Sequence, residues 1–253
     1  MKSGKKEVAP LPLAWPHNLL LHSFMIDVRV FCQPDDISCG VCCLKMVLDY
    51  FGKEISFDAL SLAKKPRPDI GLYDTHLGKT ALALGYPATI YSYNYRIFHP
   101  FWNHLGTEEL IATLKDSVAS GVLHANAEEA AESYIEFLEN GGNLFFYPLS
   151  KELILVHLDN DLPVIAGLDL AFLYDYSLEC RAEFEDRATH FVVICGYEPK
   201  RNVFCIADPW HSIPLENKEG HYYVDADRVI NAILLGQDKN DSALIVIEPS
   251  YGK

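Results

Sequence analysis

The feature that most constrains this chain is a polar loop that runs directly into an apolar helix at a cysteine. It reads Gln33-Pro34-Asp35-Asp36-Ile37-Ser38-Cys39-Gly40, then Val41 to Phe51, with Gly52 as a stop signal. Val41 to Phe51 contains no proline or glycine. Val41, Leu44, Val47, Leu48 and Phe51 recur at helical spacing, so one face must be buried. Cys39 is thereby expected at the helix N-terminus, where unpaired N–H groups and the positive end of the helix dipole favour a thiolate. A loop amide just upstream, Gln33, can donate one hydrogen bond to a developing oxyanion, and the Cys39 backbone N–H a second. Most free cysteines are small core side chains, and Cys42 and Cys43 are expected to be that. Cys39-Gly40-Val41-Cys42 also fits a C-x-x-C dithiol at a helix start, with Pro87 as its facing proline.

Length and charge narrow the alternatives. The chain has 253 residues, room for one large domain or two small ones, and 49% of them are hydrophobic, enough for a substantial core. A net charge of −14 argues against nucleic acid and anionic membranes as partners. Seven cysteines, with four clustered between Cys32 and Cys43, do not form a secreted disulfide framework. The Lys-rich start followed by Leu11 to Phe24 is interrupted by Pro12, Pro16, His17 and His22, unlike a signal peptide. No stretch reaches the ~18 apolar residues a membrane span requires. A cytoplasmic location is the expectation.

Residues 1–24 read as an irregular leader, and 25–253 as one domain. Met25 to Phe31 alternates as a strand. Helices are expected at 56–63, capped by Ser56, at 74–84, at 107–120, at 126–140 with Asn126 and Glu129 as a capping box, and at 150–158, capped by Ser150. Strands are expected at 88–93, 144–148 and 163–168. The stretch 171–189, rich in Tyr and Glu, reads as a long loop whose Tyr174, Tyr176, Glu179, Glu183, Glu185 and Asp186 border a cleft. Tyr73, Trp102 and Trp210 are candidate cleft aromatics, with packing the plainer role. A hairpin follows, His190 to Tyr197 and Val203 to Ala207, then a strand at 221–224, a helix at 225–234 and a strand at 243–247. Helices cluster early and antiparallel strands late, which favours an α+β architecture: a helical half carrying the cysteine, packed on a twisted antiparallel sheet.

His190 opens one hairpin strand and Asp208 leaves the other. If the turn centres on Lys200, Asp208 lies opposite Val192 and shares a face with His190, as a diagonal neighbour ~7–8 Å away. If the turn centres between Lys200 and Arg201, Asp208 lies opposite Val193 and on the other face. In the first register a Cys39–His190–Asp208 arrangement becomes possible. The imidazole would take and return the thiol proton, and the carboxylate would fix the tautomer. A lone histidine among ten, or an Asp-Pro after a strand, is more often structural.

These residues carry a resemblance. Gln33-x5-Cys39-Gly40, Leu44-x-Met46-Val47-Leu48, His190-Phe191-Val192-Val193-Ile194-x-Gly196-Tyr197 and Ile206-x-Asp208-Pro209 resemble the papain-like C39 peptidase group. Glu152 to Ile165 and Thr75 to Tyr86 resemble further parts of that fold. The resemblance implies a papain-like cysteine proteinase fold, with Gln33 as oxyanion donor, Cys39 as nucleophile, His190 as general base and Asp208 as orienting carboxylate. It implies hydrolysis or acyl transfer through a thioester, on a peptide or small amide substrate. Residues 94–149 depart from the shorter C39 domains and are expected as a helical insertion. The chain is also similar to the guanylyl cyclase domain-containing family across 33–52, 158–174 and 190–209, which implies action on GTP. A binding protein of the same fold that does not turn substrate over is the third reading. No P-loop or carboxylate cluster with metal spacing is present, so neither cofactor nor metal is expected.

Overall fold

The computed structural model describes residues 22–61, 72–123, 125–175, 189–236 and 242–250. Most of the leader, the 64–71 loop and the acidic stretch 176–188 lie outside them.

The apolar run after the cysteine forms helix α1, Cys39–Tyr50. Val41, Leu44, Val47 and Leu48 are all buried, as their spacing requires. Removing each such side chain from water contributes ~1.5–3 kcal/mol. Helices α2 (Phe57–Ser61), α3 (Asp74–Ala83), α4 (Thr107–Ala119), α5 (Ala125–Glu139) and α6 (Lys151–Leu158) follow. Ser150 caps α6 by accepting from Leu153 N. Helix α5 already begins at Ala125, so Asn126 lies inside it instead of preceding it. The four-residue α7 (Leu170–Leu173) breaks what reads as loop, because the Asp169 side chain caps it through Phe172 N at 2.7 Å. Helix α8 (Ala226–Leu235) is capped the same way by Asp225.

Among the described residues one sheet holds eight strands. They are β1 (Phe24–Met25), β2 (Ala88–Ser92), β3 (Asn143–Phe145), β4 (Val164–Asp169), β5 (Thr189–Glu198), β6 (Val203–Ala207), β7 (His221–Asp225) and β8 (Ala243–Ile247). The order is β3-β2-β8-β4-β5-β6-β7, with β1 pairing on β5. All pairings are antiparallel except β2 with β3. The fold is α+β, although its strands come from the whole chain and not from the late half alone.

Strand β1 is much shorter than the alternation over 25–31 suggests. Ile26 N still bonds Cys195 O at 2.8 Å, but Val28 N then turns back to Ile26 O at 2.9 Å, which ends the ladder. The alternation itself persists, with Ile26 and Val28 buried and Asp27 and Arg29 exposed. The segment is fastened differently. The Arg29 guanidinium and the Lys45 ammonium of α1 stand 5.0 and 4.0 Å from the Phe31 ring centroid. His221 Nε2 lies 2.9 Å from Val28 O.

Residues 94–149 pack on the rest through α5. Gly78 of α3 and Gly142 give the Phe137 ring its place: a Cβ would come within 2.6 and 2.3 Å of that ring. The Tyr134 hydroxyl donates to the buried Asp74 carboxylate, and Thr75 and Ser133 share a hydrogen bond. Gly78, inside α3, is thus the site of close helix approach.

Candidate active site

Three separated segments meet where α1 abuts the β5–β6 hairpin. The loop before α1 is organised by Asp35, whose Oδ1 accepts from Ile37 N at 3.1 Å and from the Ser38 hydroxyl. Ser38 is the N-cap residue of α1 and accepts Cys42 N with its carbonyl, but its side chain makes no cap bond. The first turn of α1, beginning at Cys39, is therefore left without a side-chain cap. Gln33 N donates to Pro209 O at 2.9 Å, tying this loop to the residue after Asp208. Behind the loop, Cys43 Sγ lies 3.2 Å from Phe191 O, so α1 is fastened to β5 one residue from His190. Gly40 fits between Leu77 and Phe191, where a Cβ would sit 3.2 Å from each.

The hairpin resolves the two possible registers by using both. Near the turn Glu198 pairs with Val203 and Gly196 with Cys205, the register of a turn centred between Lys200 and Arg201. A bulge at Cys195 then shifts the pairing by one, giving Ile194 with Ile206 and Val193 with Ala207. Continued one residue, Asp208 falls opposite Val192, on the same face as His190. Gly196 permits the bulge, since a Cβ there would stand 2.7 Å from Phe24 O and 3.1 Å from Cys205 Cβ.

His190 Nε2 lies 2.8 Å from Asp208 Oδ1. Cys39 is close enough to the ring to raise its pKa. Because Nε2 is taken by the carboxylate, Nδ1 is the nitrogen left for the thiol. His190 is 4% exposed, Asp208 0% and Cys39 9%, so these interactions operate with little screening by water. Burial alone pushes the His190 pKa down. The Asp208 charge and hydrogen bond, with Cys39 adding to them, outweigh it and raise the pKa to about 10. Burial likewise opposes ionisation of Asp208, but the His190 charge and the donors around the carboxylate hold its pKa below the usual value.

Asp208 has more partners than the hairpin alone provides. Oδ1 also accepts Trp210 N at 2.8 Å. Oδ2 accepts the Tyr174 hydroxyl at 2.8 Å and the Tyr222 hydroxyl at 2.6 Å. Tyr174 is buried here, while Tyr176, Glu179, Glu183, Glu185 and Asp186, named with it as bordering a cleft, lie outside the described residues. Tyr222 is a contact that sequence reading missed. Its only signal is the pairing of β7 on β6, which sets it opposite Ile206, two residues before Asp208. The Trp210 ring stands edge-on to His190, 6.2 Å between centroids.

Gln33 is 6% exposed. Its Nε2 donates to Asp35 O at 2.7 Å, leaving one amide hydrogen over, and its Oε1 is buried without a partner. Cys42 is a buried thiol whose pKa burial, and then Cys39, push up to about 12, and Pro87 is exposed at the start of β2. Among the described residues no three His, Cys, Asp or Glu side chains converge to hold a metal ion, and no helix is long and apolar enough to cross a membrane.

The sequence profile of the Peptidase_C39 like family matches residues 25–225. No curated protein sequence matches. Similar solved structures include a double glycine motif protease from an AMS/PCAT transporter in complex with the leader peptide, at 15% identity over 89% of this chain and 94% of that one, with a TM-score of 0.45. Another is the peptidase domain of Streptococcus ComA, a bifunctional ABC transporter involved in quorum sensing, at 15% identity over 88% and 98%, TM-score 0.44. A third is a C39-like peptidase from Bacillus anthracis, at 16% identity over 89% and 97%, TM-score 0.45. With the profile spanning most of its length, this chain belongs to the Peptidase_C39 like family of cysteine peptidases.

Proposed function

We propose that this protein cleaves, or transfers the acyl group of, a peptide or small amide bond through a Cys39 thioester. His190 Nδ1 already holds the proton taken from Cys39 in the resting pair, the thiolate attacks the carbonyl carbon, and the imidazolium protonates the departing amine. Asp208 stays ionised and faces the ring throughout. The free Gln33 amide hydrogen and the Cys39 backbone N–H donate to the oxyanion. Water or a second nucleophile then releases the acyl group, with His190 acting as base again.

The observation that carries the reading is the His190 ring held by a buried carboxylate at 2.8 Å, with Cys39, at a helix N-terminus, among the groups that raise the ring's pKa. Family membership supplies the reaction class. The test is turnover of a peptide library, with the acyl-enzyme trapped by acid quench and located by mass spectrometry. The expected result is an acyl adduct on Cys39 and no turnover by Cys39→Ser. Turnover that survives Cys39→Ser, of peptides or of GTP with magnesium, would contradict it.

A further inference from the structure

The Asp208 carboxylate receives four donors where one histidine would suffice to orient a ring. Two of them are phenols on the oxygen turned away from His190. They come from different parts of the fold: Tyr174 from the end of α7, Tyr222 from β7. Convergence of two tyrosines on one anionic oxygen is not needed for packing, which phenylalanines would serve equally.

A buried proton relay has a difficulty that these groups answer. During the reaction His190 alternates between imidazolium and imidazole. When the ring is neutral, Asp208 is a fully buried anion that has lost its counter-charge, a costly state unless hydrogen bonds replace it. Oδ1 keeps Trp210 N and the ring nitrogen, but among the described residues Oδ2 is met by the two phenols and by no cation. We propose that Tyr174 and Tyr222 are positioning residues that keep the Asp208 carboxylate ionised, and aimed at His190, in both protonation states of the ring. This rests on the peptidase reading for its role in turnover, but not for its effect on the ring.

The phenols also temper the ring. Each O–H draws negative charge away from the oxygen it binds, so His190 faces a weaker anion than a bare carboxylate. Tyr222 remains a donor at working pH, since burial and then the Asp208 charge raise its pKa well above the usual value. Among the described residues, other titratable groups that interact with the pair are Cys39 and Cys43 of α1, while Asp169, opposite Thr189, is occupied with capping α7. None of them donates to Oδ2 in the tyrosines' place.

The test is the titration of the His190 ring by NMR on histidine-labelled protein, its signal identified by loss in His190→Asn. Tyr174→Phe and Tyr222→Phe remove only the hydroxyls. Each is expected to raise the ring pKa by about half a unit or more, and the double variant to raise it further. With peptide substrate, kcat should fall several-fold while KM holds. A purely structural role would lower the melting temperature and leave the ring titration in place, and that result in both variants overturns the proposal. Failure of the peptidase reading shows separately, as wild-type protein without Cys39-dependent turnover, while the ring titration still reads the tyrosines.

Discussion

Replacing Asp208 with asparagine isolates the charge on which the site depends. The amide fits the existing contacts. Its oxygen can accept from His190 Nε2 and Trp210 N, and its NH2 can face the Tyr174 and Tyr222 hydroxyls, which rotate to accept. What is lost is the anion beside a ring that is 4% exposed. In the wild type the folded pKa of His190 is raised from 6.5 to about 10, so the folded state holds a proton that the unfolded chain releases in that window. The stability this contributes is fully present below pH 6.5 and is lost as pH rises towards about 10. Breaking a buried charge pair by removing one partner costs ~3–5 kcal/mol, which sets the expected deficit of Asp208→Asn near pH 6. In the variant the Asp208 charge is gone, so burial, the largest influence, is opposed chiefly by Cys39 and the sign reverses as the ring pKa falls below 6.5. Relative to the wild type, whose His190 contribution is level below pH 6.5, Asp208→Asn should therefore gain stability as pH rises through 6, and approach the wild type near pH 10. Urea unfolding at intervals from pH 5 to 10 measures both curves. Parallel pH profiles would refute the argument.

Two other substitutions separate chemistry from structure. Gln33→Ala should lower kcat by ~10²–10³ if its amide meets the oxyanion, with the alkylation rate of Cys39 unchanged, as steady-state kinetics and iodoacetamide labelling would show. Asp74 is buried, and burial, partly offset by the Tyr134 and Thr75 hydrogen bonds, raises its pKa from 3.8 to about 6. A raised carboxyl pKa makes the folded state lose stability as pH climbs from about 4 to about 6 and remain penalised above, by roughly 3 kcal/mol at 1.36 kcal/mol per unit. Asp74→Asn should then be the more stable protein at pH 8, and a lower urea midpoint there would count against this account.

The parts of this structure that were legible in the sequence are those written by local rules. Helix α1 follows from an apolar stripe and a terminal glycine, α6 from Ser150, and the hairpin from two β-rich runs around Glu198 to Asn202. Less legible were features in which a distant backbone competes for a hydrogen bond. Strand β1 stops after two residues because Val28 N turns to Ile26 O, and no pattern in 25–31 announces that turn. The bulge at Cys195 depends on Phe24 passing over Gly196, a contact made across 172 positions of sequence. In the candidate site, Gln33, Cys39, His190 and Asp208 could be named because each sits at the edge of a recognisable element. Tyr222 could not, because its hydroxyl reaches Asp208 only through the pairing of β7 on β6.

The most direct measurement compares two thiols in one tube. Cys32 is exposed and Cys39 is buried, so accessibility alone would make Cys32 the faster to alkylate. Limiting iodoacetamide at pH 6, with peptide mapping by mass spectrometry, should instead label Cys39 first, and His190→Ala should abolish that preference. If Cys32 reacts ahead of Cys39, or if the order is the same without His190, the imidazole does not activate the sulfur and the account fails.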